Sequence, residues 1–250
     1  MILAIDAGNS RVKWGWHDGT SWSGIANVAL LEFAASSDHV NPFSITHENP
    51  ERIIISNVAG DGAHQLLVNW TSIFEAEPEW VRGETERCGV KSRYERPEVL
   101  GPDRWAALIA ARALEPGRDC LVVNAGTCTT IDRLSAAGEF LGGLIVPGVD
   151  LMRFVLHEHT GRLPLQEGNY VDTPRNTVDA IESGCRHAQA GAVERMFRLV
   201  GGDAGAGAQC LVSGGGGPAL IERLPFACRF VENLVLEGLA RMARSESGSA

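Results

Sequence analysis

Residues 2–13, ILAIDAGNSRVK, and residues 121–131, LVVNAGTCTTI, share one pattern, and this pattern decides the fold. Each begins with a short apolar run, reaches a polar residue with a glycine two positions later, and continues as a second extended segment. Such a pattern predicts a strand, a tight turn and a second strand. Because the same order occurs twice in the chain, the sequence indicates a duplicated α/β lobe rather than a solenoid.

The segments around the two copies complete the prediction. A third strand follows each pair, after the turns at Asp18-Gly19 and Ala137-Gly138. The remaining predicted elements are a strand at 53–55, a helix after Asp61, an irregular charged stretch from 85 to 101, and helices at 103–114, 177–199 and 234–244. Because Glu115-Pro116-Gly117 stops a helix, we predict an N-terminal lobe at 1–116 and a C-terminal lobe at 117–250, with a frayed tail at 245–250.

Composition excludes several classes of protein. The chain has 250 residues, of which 44% are hydrophobic, which is enough for a sizeable core. The net charge of -9 and the absence of a basic stripe argue against nucleic-acid binding. No apolar stretch is long enough for a membrane span, and the N-terminus lacks the pattern of a signal peptide. The six cysteines form no CxxC pair, so we expect reduced thiols and a cytoplasmic protein.

The first candidate site is Asp6-Ala7-Gly8-Asn9-Ser10, at the end of the first strand. Ligands of many α/β folds bind at the carboxyl ends of strands, and a glycine turn offers N–H groups to an anion. Asp6 is a candidate for holding Mg²⁺ through water. The alternative is a simple hairpin turn, since Asp, Gly and Asn are common turn residues.

The second candidate site is Asn124-Ala125-Gly126-Thr127-Cys128-Thr129-Thr130, at the equivalent place in the second copy. Its hydroxyl and N–H groups are suited to binding phosphate. An ordinary Thr-rich strand is the alternative, since Thr favours strands. Two such turns at equivalent places of a repeat suggest that both bind the same triphosphate.

Two further motifs contain glycine and proline. In Gly101-Pro102-Asp103-Arg104, Asp103 is either the N-cap of the following helix or a general base for a hydroxyl, and Arg104 is suited to pair with a carboxylate or phosphate. The second motif is Gly142-Gly143-Leu144-Ile145-Val146-Pro147-Gly148. Its glycines predict a close approach of the backbone, either to a ligand or to another element of the fold.

These four motifs, in this order, resemble those of type III pantothenate kinases, which belong to the acetate and sugar kinase/Hsc70/actin superfamily. Further pieces that match are Tyr94, Thr160 to Pro164, Asn176-Thr177, and Glu232 to Leu236. The resemblance spans nearly the whole chain. It implies duplicated ribonuclease H-like lobes of the actin-like ATPase fold, with an inter-lobe cleft.

The resemblance also implies a function and a set of site residues. The implied reaction is ATP-dependent phosphorylation of pantothenate, the first step of coenzyme A synthesis, by a homodimer. Asp103 is implied as the base. The implied ATP-binding residues are Asp6, Ala7, Gly8, Asn9, Ser10, Arg11, Val12, Lys13 and Thr127, with Mg²⁺ oriented by Asp6. The implied pantothenate-binding residues are Tyr94, Gly101, Pro102, Asp103, Arg104 and Thr177.

Three positions depart from the family pattern. Asn124 stands where the family has an Asp that ligates a monovalent cation, K⁺ or NH₄⁺. An amide oxygen is a weaker ligand for a hard cation, so we expect no strong K⁺ dependence. Ser10 replaces a typical Thr. Ser213-Gly214-Gly215-Gly216-Gly217 replaces a Thr-Gly-Gly-Asp-Ala segment, which removes one carboxylate from that loop.

Three alternatives remain open from the sequence. One is a non-catalytic or weakly catalytic transcriptional accessory factor on the same fold, which the altered Asn124 and glycine loop would permit. Another is a kinase or phosphatase of the superfamily that acts on a different metabolite. The third is a structural or filament-forming relative, which the short chain and the Gly101 to Arg104 motif disfavour.

Overall fold

The chain divides into two compact units. The computed structural model describes residues 1–35, 49–201 and 207–245. The first unit comprises Met1–Leu114, Gly138–Phe140 and Asn233–Ala250, and the second comprises Glu115–Ala137 and Leu141–Glu232. The division into lobes at 1–116 and 117–250 stays a prediction, and the predicted frayed tail lies, beyond Ser245, outside the described residues.

The described residues form twelve strands, seven α-helices and one short 3₁₀ helix at Pro97–Val99. The strands are β1 (Ile2–Ala7), β2 (Arg11–His17), β3 (Trp22–Ala29), β4 (Arg52–Asn57), β5 (Pro78–Trp80), β6 (Glu86–Arg87), β7 (Val90–Ser92), β8 (Cys120–Ala125), β9 (Cys128–Leu134), β10 (Glu139–Pro147), β11 (Gln209–Ser213) and β12 (Cys228–Phe230). The helices are α1 (Leu30–Ala35), α2 (Asp61–Thr71), α3 (Pro102–Leu114), α4 (Val149–Glu158), α5 (Thr177–Leu199), α6 (Gly217–Ile221) and α7 (Leu234–Ser245). None of these helices is long and apolar enough to cross a membrane.

The sheet of the first unit has the strand order β3-β2-β1-β4-β5. Strands β1 and β2, and β2 and β3, are antiparallel, whereas β4 runs parallel to β1 and β5 parallel to β4. In the central strand β1, every residue except Asp6 is buried, which explains why its sequence is a continuous apolar run. Asp6 is therefore the one polar side chain that β1 brings to this part of the sheet.

The second sheet has seven strands, and five adjacent ones repeat this arrangement in the order β10-β9-β8-β11-β12. Strand β9 is antiparallel to β8, and β11 and β12 are parallel to their neighbours. The predicted duplication is thereby confirmed, because β1, β2 and β4 correspond to β8, β9 and β11. The first residues of β10, at 139 and 140, cluster with the first unit and pair in parallel with β7.

Each unit has its own hydrophobic core. In the first, β1, β2 and β4 send one row of side chains toward α1 and α2; it includes Leu3, Ile5, Trp14, Trp16 and Ile55. In the second, the equivalent row meets α5 and α6. The two rows follow from the period-two alternation of the strands. That alternation leaves the other face of the sheet, with Asp6, to two helices: α7 contacts β1 and β4, and α3 contacts β4.

Helices α3 and α7 pack closely because of a glycine. A Cβ atom at Gly238 would collide with the backbone carbonyl of Ala106, so only glycine allows the two helices to cross at this distance. Both helices belong to the first unit and begin beside the end of the sheet. Their packing fixes the position of residues at their N-terminal ends, which is where Asp103 lies.

Most of the predicted elements are confirmed, and one is wrong. The helices predicted at 103–114, 177–199 and 234–244 match α3, α5 and α7 to within one residue. The stretch from 85 to 101 was expected to be irregular, but it contains the hairpin β6–β7 and the 3₁₀ helix. The turn of this hairpin is Cys88-Gly89, and both residues have positive φ, at 50° and 75°. Its strands of two and three residues are too short to show a period.

Candidate active site

Asp6 lies at the carboxyl end of β1 between two cross-strand neighbours. Its Cα partner on β2 is Lys13, and its partner on β4 is Ser56. Directly opposed residues place their side chains on the same face of a sheet, so the carboxylate is flanked by an ammonium and a hydroxyl. Oδ1 of Asp6 is buried and has no hydrogen-bond partner among the described residues. A carboxylate left in this state is suited to receive a ligand from outside the chain.

Asp103 lies in the first turn of α3, and Gly101 determines where its carboxyl group sits. Oδ1 accepts a hydrogen bond of 2.8 Å from the backbone N–H of Arg104. A Cβ atom at Gly101 would lie 2.7 Å from the same oxygen, which is closer than real Cβ atoms approach. The glycine therefore makes room for the carboxyl group. Asp103 is not the N-cap, because α3 begins one residue before it.

The two carboxylates influence each other. The pKa of Asp6 is raised from its ordinary value of 3.8 to about 7, first by burial and then by the negative charge of Asp103, while Ser56 and Lys13 oppose the rise. Burial also raises the pKa of Asp103, against the hydrogen bond and charge of Arg104. A general base that works near neutral pH needs a pKa raised in this way.

Lys13 has a partner that is distant in sequence. Its Nζ donates a hydrogen bond of 3.0 Å to Oδ1 of Asn233, which directly precedes α7. Sequence reasoning assigned no role to Asn233 or to Ser56. The signal for Ser56 was present, because it is a polar residue at the carboxyl end of a buried strand parallel to β1.

Tyr94, Arg104 and Phe140 form a second group in the first unit. Nη1 of Arg104 donates a hydrogen bond of 3.1 Å to the hydroxyl of Tyr94. The guanidinium carbon lies 5.7 Å from the ring centre of Tyr94 and 5.8 Å from that of Phe140, within the range of cation–π contacts. Arg104 is only 6% exposed. The predicted substrate residues Tyr94 and Arg104 are thus in contact, and Arg104 adjoins Asp103 in the chain.

The turn after β1 could contact a nucleotide mainly through backbone N–H and carbonyl groups rather than through side chains. The N–H of Gly8 donates to the carbonyl of Arg11 at 3.0 Å, which closes the turn and leaves Asn9 and Ser10 exposed. Ala7 and Val12 are completely buried in the core. Of the predicted ATP-binding residues, these two could contact a nucleotide only through their backbone.

The equivalent turn of the second unit lacks the charged residues of the first. Asn124 has Thr130 and Ser213 as its Cα partners, the places held by Lys13 and Ser56 in the first unit. The N–H of Gly126 donates to the carbonyl of Cys128 at 3.0 Å, which closes a turn one residue shorter than the turn at Gly8. Thr127 is exposed at the tip. This turn can offer hydroxyl and N–H groups to an anion, and no carboxylate.

Two glycines fit closely around this second turn. Gly148 donates to the carbonyl of Thr127 at 2.9 Å, and a Cβ at Gly148 would lie 2.8 Å from that oxygen. A Cβ at Gly214 would lie 2.7 Å from Oδ1 of Asn124. Of the two alternatives for the Gly142 to Gly148 motif, a ligand or another element of the fold, the backbone at Gly148 therefore approaches another element.

The residues present fit a magnesium ion better than a monovalent one. Within the described ranges, no group of three or more acidic, His or Cys side chains could hold a metal by itself. Asp6 nevertheless has a buried oxygen without a partner and a raised pKa, and a divalent cation would offset both. Asn124 presents a neutral amide oxygen beside Gly214, which is a weaker ligand for K⁺.

Thr177 lies in the second unit and lines a cavity of about 910 Å³. The walls come from α4, α5 and the segment before α5, and they are mostly apolar, with Met152, Leu156 and Ile181 among them. None of the other predicted substrate residues lines this cavity. The structure thus brings together Asp6, Lys13, Asp103 and Arg104 within the first unit, and it places Thr127 and Thr177 in the second.

Solved structures with a similar fold define the class. A candidate 2-dehydro-3-deoxygalactonokinase from Sinorhizobium meliloti matches with a TM-score of 0.61 at 16% identity, over 99% of this chain and 100% of that one. A candidate Baf family transcriptional activator from Campylobacter jejuni matches with a TM-score of 0.60 at 20% identity, over 98% of each. The fold is that of the sugar kinases and actin-like ATPases, as predicted.

Closer relatives identify the family. The family model for type III pantothenate kinase matches residues 2–199. The type III pantothenate kinase of Aromatoleum aromaticum is 50% identical over 100% of both chains. That of Nitrosospira multiformis is 44% identical, over 100% of this chain and 94% of its own. The chain belongs to the type III pantothenate kinase family, which confirms the resemblance noted from its motifs.

Proposed function

We propose that this chain transfers the γ-phosphoryl group of ATP to the hydroxyl of pantothenate, the first step of coenzyme A synthesis, with Asp103 as the general base. The main support for this proposal is the placement of Asp103. Its carboxyl group packs against Gly101 and is close enough to Asp6 to raise the pKa of Asp6. Family membership supports the substrate and the phosphate donor.

The proposed mechanism requires little covalent chemistry from the protein. Phosphoryl transfer depends mainly on positioning and on neutralising charge. Asp103 accepts the proton of the attacking hydroxyl, and its raised pKa favours this transfer near neutral pH. Asp6 would hold Mg²⁺, which would supply positive charge beside the phosphate oxygens. Lys13, held by Asn233, adds a second positive charge beside Asp6.

The nucleotide and the substrate use different groups of residues in this proposal. The backbone N–H groups of Asn9 and Ser10, in the turn after β1, donate to phosphate. The contact of Thr127 with phosphate stays a prediction. Tyr94 and Arg104 bind pantothenate in this proposal. The hydrogen bond to Tyr94 holds the Arg104 guanidinium group, and Arg104 adjoins Asp103 in the chain. The contact of Thr177 with pantothenate stays a prediction, as does a K⁺ or NH₄⁺ ion at Asn124.

We further propose that the protein is a cytoplasmic homodimer. Its six cysteines are all free thiols, as expected in a reducing compartment. Exposed apolar side chains occur along β10 and α4 of the second unit, including Ile145 at 61% and Phe154 at 49% exposure. Apolar surface of this kind is typical of an interface between chains.

The test is a coupled assay of ADP release with and without pantothenate, in buffers of K⁺, NH₄⁺ or Na⁺. We expect pantothenate-dependent ADP release and only a small difference between the cations. Absence of any pantothenate dependence would overturn the proposed reaction and favour the accessory-factor alternative. A panel of other hydroxylated metabolites serves as the control for substrate identity.

The base is tested separately with Asp103→Asn, which keeps the size of the side chain and removes its basicity. Loss of a general base lowers turnover by about 10²- to 10⁴-fold. Because the amide oxygen can still accept the hydrogen bond from Arg104, we expect the variant to fold with a Tm no lower than that of the wild type. Near-normal turnover of this variant would disprove the assignment of Asp103 while leaving the reaction itself in place.

A further inference from the structure

Two cysteines face each other on neighbouring strands of the second unit. Cys210 on β11 and Cys228 on β12 are Cα partners in a parallel pair. Their side chains therefore lie on the same face of the sheet, the face that carries the core of this unit. Cys210 is 1% exposed, whereas Cys228 is half-buried and reaches solvent. The proposed kinase reaction uses neither residue.

The spacing of this pair is suited to a disulfide. Neighbouring strands lie about 4.8 Å apart, and Cα atoms of disulfide-linked cysteines are usually about 4.4–6.8 Å apart. Sγ of Cys228 donates to the carbonyl of Phe226 at 3.7 Å. The two thiols also affect each other's protonation, so the pKa of Cys228 is lowered and that of Cys210 is raised. Immediately before β12, Phe226 stacks on Phe197 at 3.9 Å between ring centres, which holds the start of this strand against α5.

Cys120 is close enough to Cys210 to contribute to its raised pKa, but it lies on the other face of the sheet. Cys120 lies on β8, the strand on the other side of β11, but its Cα partner is Gln209. Because side chains alternate along a strand, Cys120 points to the opposite face from Cys210. Cys185 is buried in α5, and Cys128 is exposed at the start of β9.

We propose that Cys210 and Cys228 form an oxidisable dithiol that takes a hydroperoxide as its oxidant and closes to an intramolecular disulfide. The Cys228 thiolate attacks one peroxide oxygen and breaks the O–O bond, which gives a sulfenic acid and, after protonation, one water. The sulfur of Cys210 then attacks the sulfur of Cys228. The sulfenic oxygen leaves with the proton of Cys210 as a second water, so two thiols and one hydrogen peroxide give one disulfide and two waters.

Closure of this disulfide has a measurable effect on stability. It encloses the glycine run from Gly214 to Gly217 together with α6 in one covalent loop. A disulfide between Cys210 and Cys228 lowers the conformational entropy of the unfolded chain and so stabilises the folded state. We expect the oxidised protein to melt roughly 5 °C higher than the reduced protein.

The experiment treats the full-length reduced protein with a small excess of hydrogen peroxide, alkylates the remaining thiols under denaturing conditions, and maps tryptic peptides. Cleavage after Arg198, Arg223 and Arg229 puts Cys210 and Cys228 on different peptides. We expect one linked pair of peptides that is two hydrogen atoms lighter than the sum and that separates on reduction. The same sample should show the rise in Tm.

Two variants make the result specific. Cys228→Ser should abolish the linked peptides and the rise in Tm, whereas Cys120→Ser, on the neighbouring strand but the opposite face, should retain both. The wild-type peptide map keeps the proposal falsifiable even if Cys228→Ser folds poorly. Alkylation of both cysteines after peroxide treatment, or a link from either one to Cys120 or Cys128, would overturn it.

Discussion

At the scale of single residues, the candidate site depends on where two carboxyl groups are placed. Gly101 leaves space for the carboxyl group of Asp103, and the backbone N–H of Arg104 holds it there. Asp6 is the one polar residue of β1, and its carboxylate lies beside Lys13 and Ser56 with Oδ1 buried. Both groups have raised pKa values because burial disfavours their charged forms. Each placement gives a prediction for a single substitution.

Gly101→Ala should reduce turnover without unfolding the protein. The added Cβ would lie 2.7 Å from Oδ1 of Asp103, and this oxygen is at the end of a side chain that can move aside. A displacement of about 1 Å at a catalytic group can cost on the order of 10²-fold in rate. We expect kcat to fall by roughly 10- to 100-fold with a Tm close to that of the wild type.

The matched control is Gly62→Ala on α2, where a Cβ would meet no atom within 4 Å. This variant should keep the wild-type kcat. Equal kcat values for Gly101→Ala and the wild type would show that the position of the Asp103 carboxyl group does not limit the reaction.

The raised pKa of Asp6 predicts a dependence of stability on pH in the absence of Mg²⁺. The folded protein favours the protonated form up to about pH 7, whereas the unfolded chain has the ordinary value of 3.8. The stability that this group contributes is complete below about pH 4 and is lost as the pH rises through 7. Asp6→Asn is neutral throughout, so it should melt higher than the wild type at pH 8, by on the order of 5 °C, but not at pH 4.

This prediction is checked by thermal melts of both proteins from pH 4 to 8, with the exposed Asp61→Asn as the control for loss of one carboxylate. Mg²⁺ added at pH 8 should stabilise the wild type more than Asp6→Asn. A difference in Tm between Asp6→Asn and the wild type that does not change with pH would show that Asp6 has no raised pKa.

At the scale of secondary-structure elements, the N-terminal ends of α3 and α7 carry residues to the end of the sheet. The two helices cross closely at Gly238 and Ala106, and they begin next to Asp103 and Asn233 respectively. Strand β2 supplies Lys13, which reaches Asn233 across 220 positions of sequence. The packing of two helices against a sheet thus sets the direction of the Lys13 ammonium group.

Asn233→Ala should weaken ATP binding, because Lys13 loses the acceptor that orients it. A hydrogen bond to a charged group contributes about 1.5–3 kcal/mol, so the KM for ATP should rise roughly tenfold or more, with a smaller effect on kcat. Steady-state kinetics with varied ATP measures this. Asn69→Ala, at an exposed position of α2, is the control and should leave the KM unchanged; an unchanged KM in Asn233→Ala as well would exclude a role for this contact.

At the scale of the whole molecule, one five-stranded topology occurs twice and has diverged at equivalent places. The first copy has the charged residues Asp6 and Lys13, and the second has the neutral Asn124 and Thr130. The proposed ligand for Mg²⁺, Asp6, and the proposed base, Asp103, both lie in the first unit. The second unit has the large apolar cavity and the exposed apolar side chains along β10 and α4.

The proposed homodimer is tested with Phe154→Glu. A charge at a half-exposed apolar residue of α4 should destabilise an interface formed there but not the fold of one chain. The wild type should elute as a particle of twice 26.8 kDa and the variant as one of 26.8 kDa, by size exclusion with light scattering. The control is Ile73→Glu, which is 56% exposed in the first unit. A wild-type monomer, or a variant that stays dimeric, would contradict this placement of the interface.

Much of the fold could be predicted because its signals are local. The apolar runs ending at Asp6 and Asn124 predicted the central strand of each sheet, and their repetition predicted the shared topology. The predicted helices at 103–114, 177–199 and 234–244 match the observed ones to within one residue. The hairpin at 86–92 was missed because its strands are too short to show a period.

By itself, the sequence determined the repeated strand–turn–strand unit and the family, and it predicted Asp6 and Asp103 as the central carboxylates. Only the tertiary structure decided that Ser56 and Asn233 are neighbours of Asp6 and Lys13, that Gly101 makes room for the Asp103 carboxyl group, and that Thr177 lines a separate cavity. The physical reason is range: periodicity and turn chemistry act over a few residues, whereas these contacts join positions that only strand order and helix packing bring together.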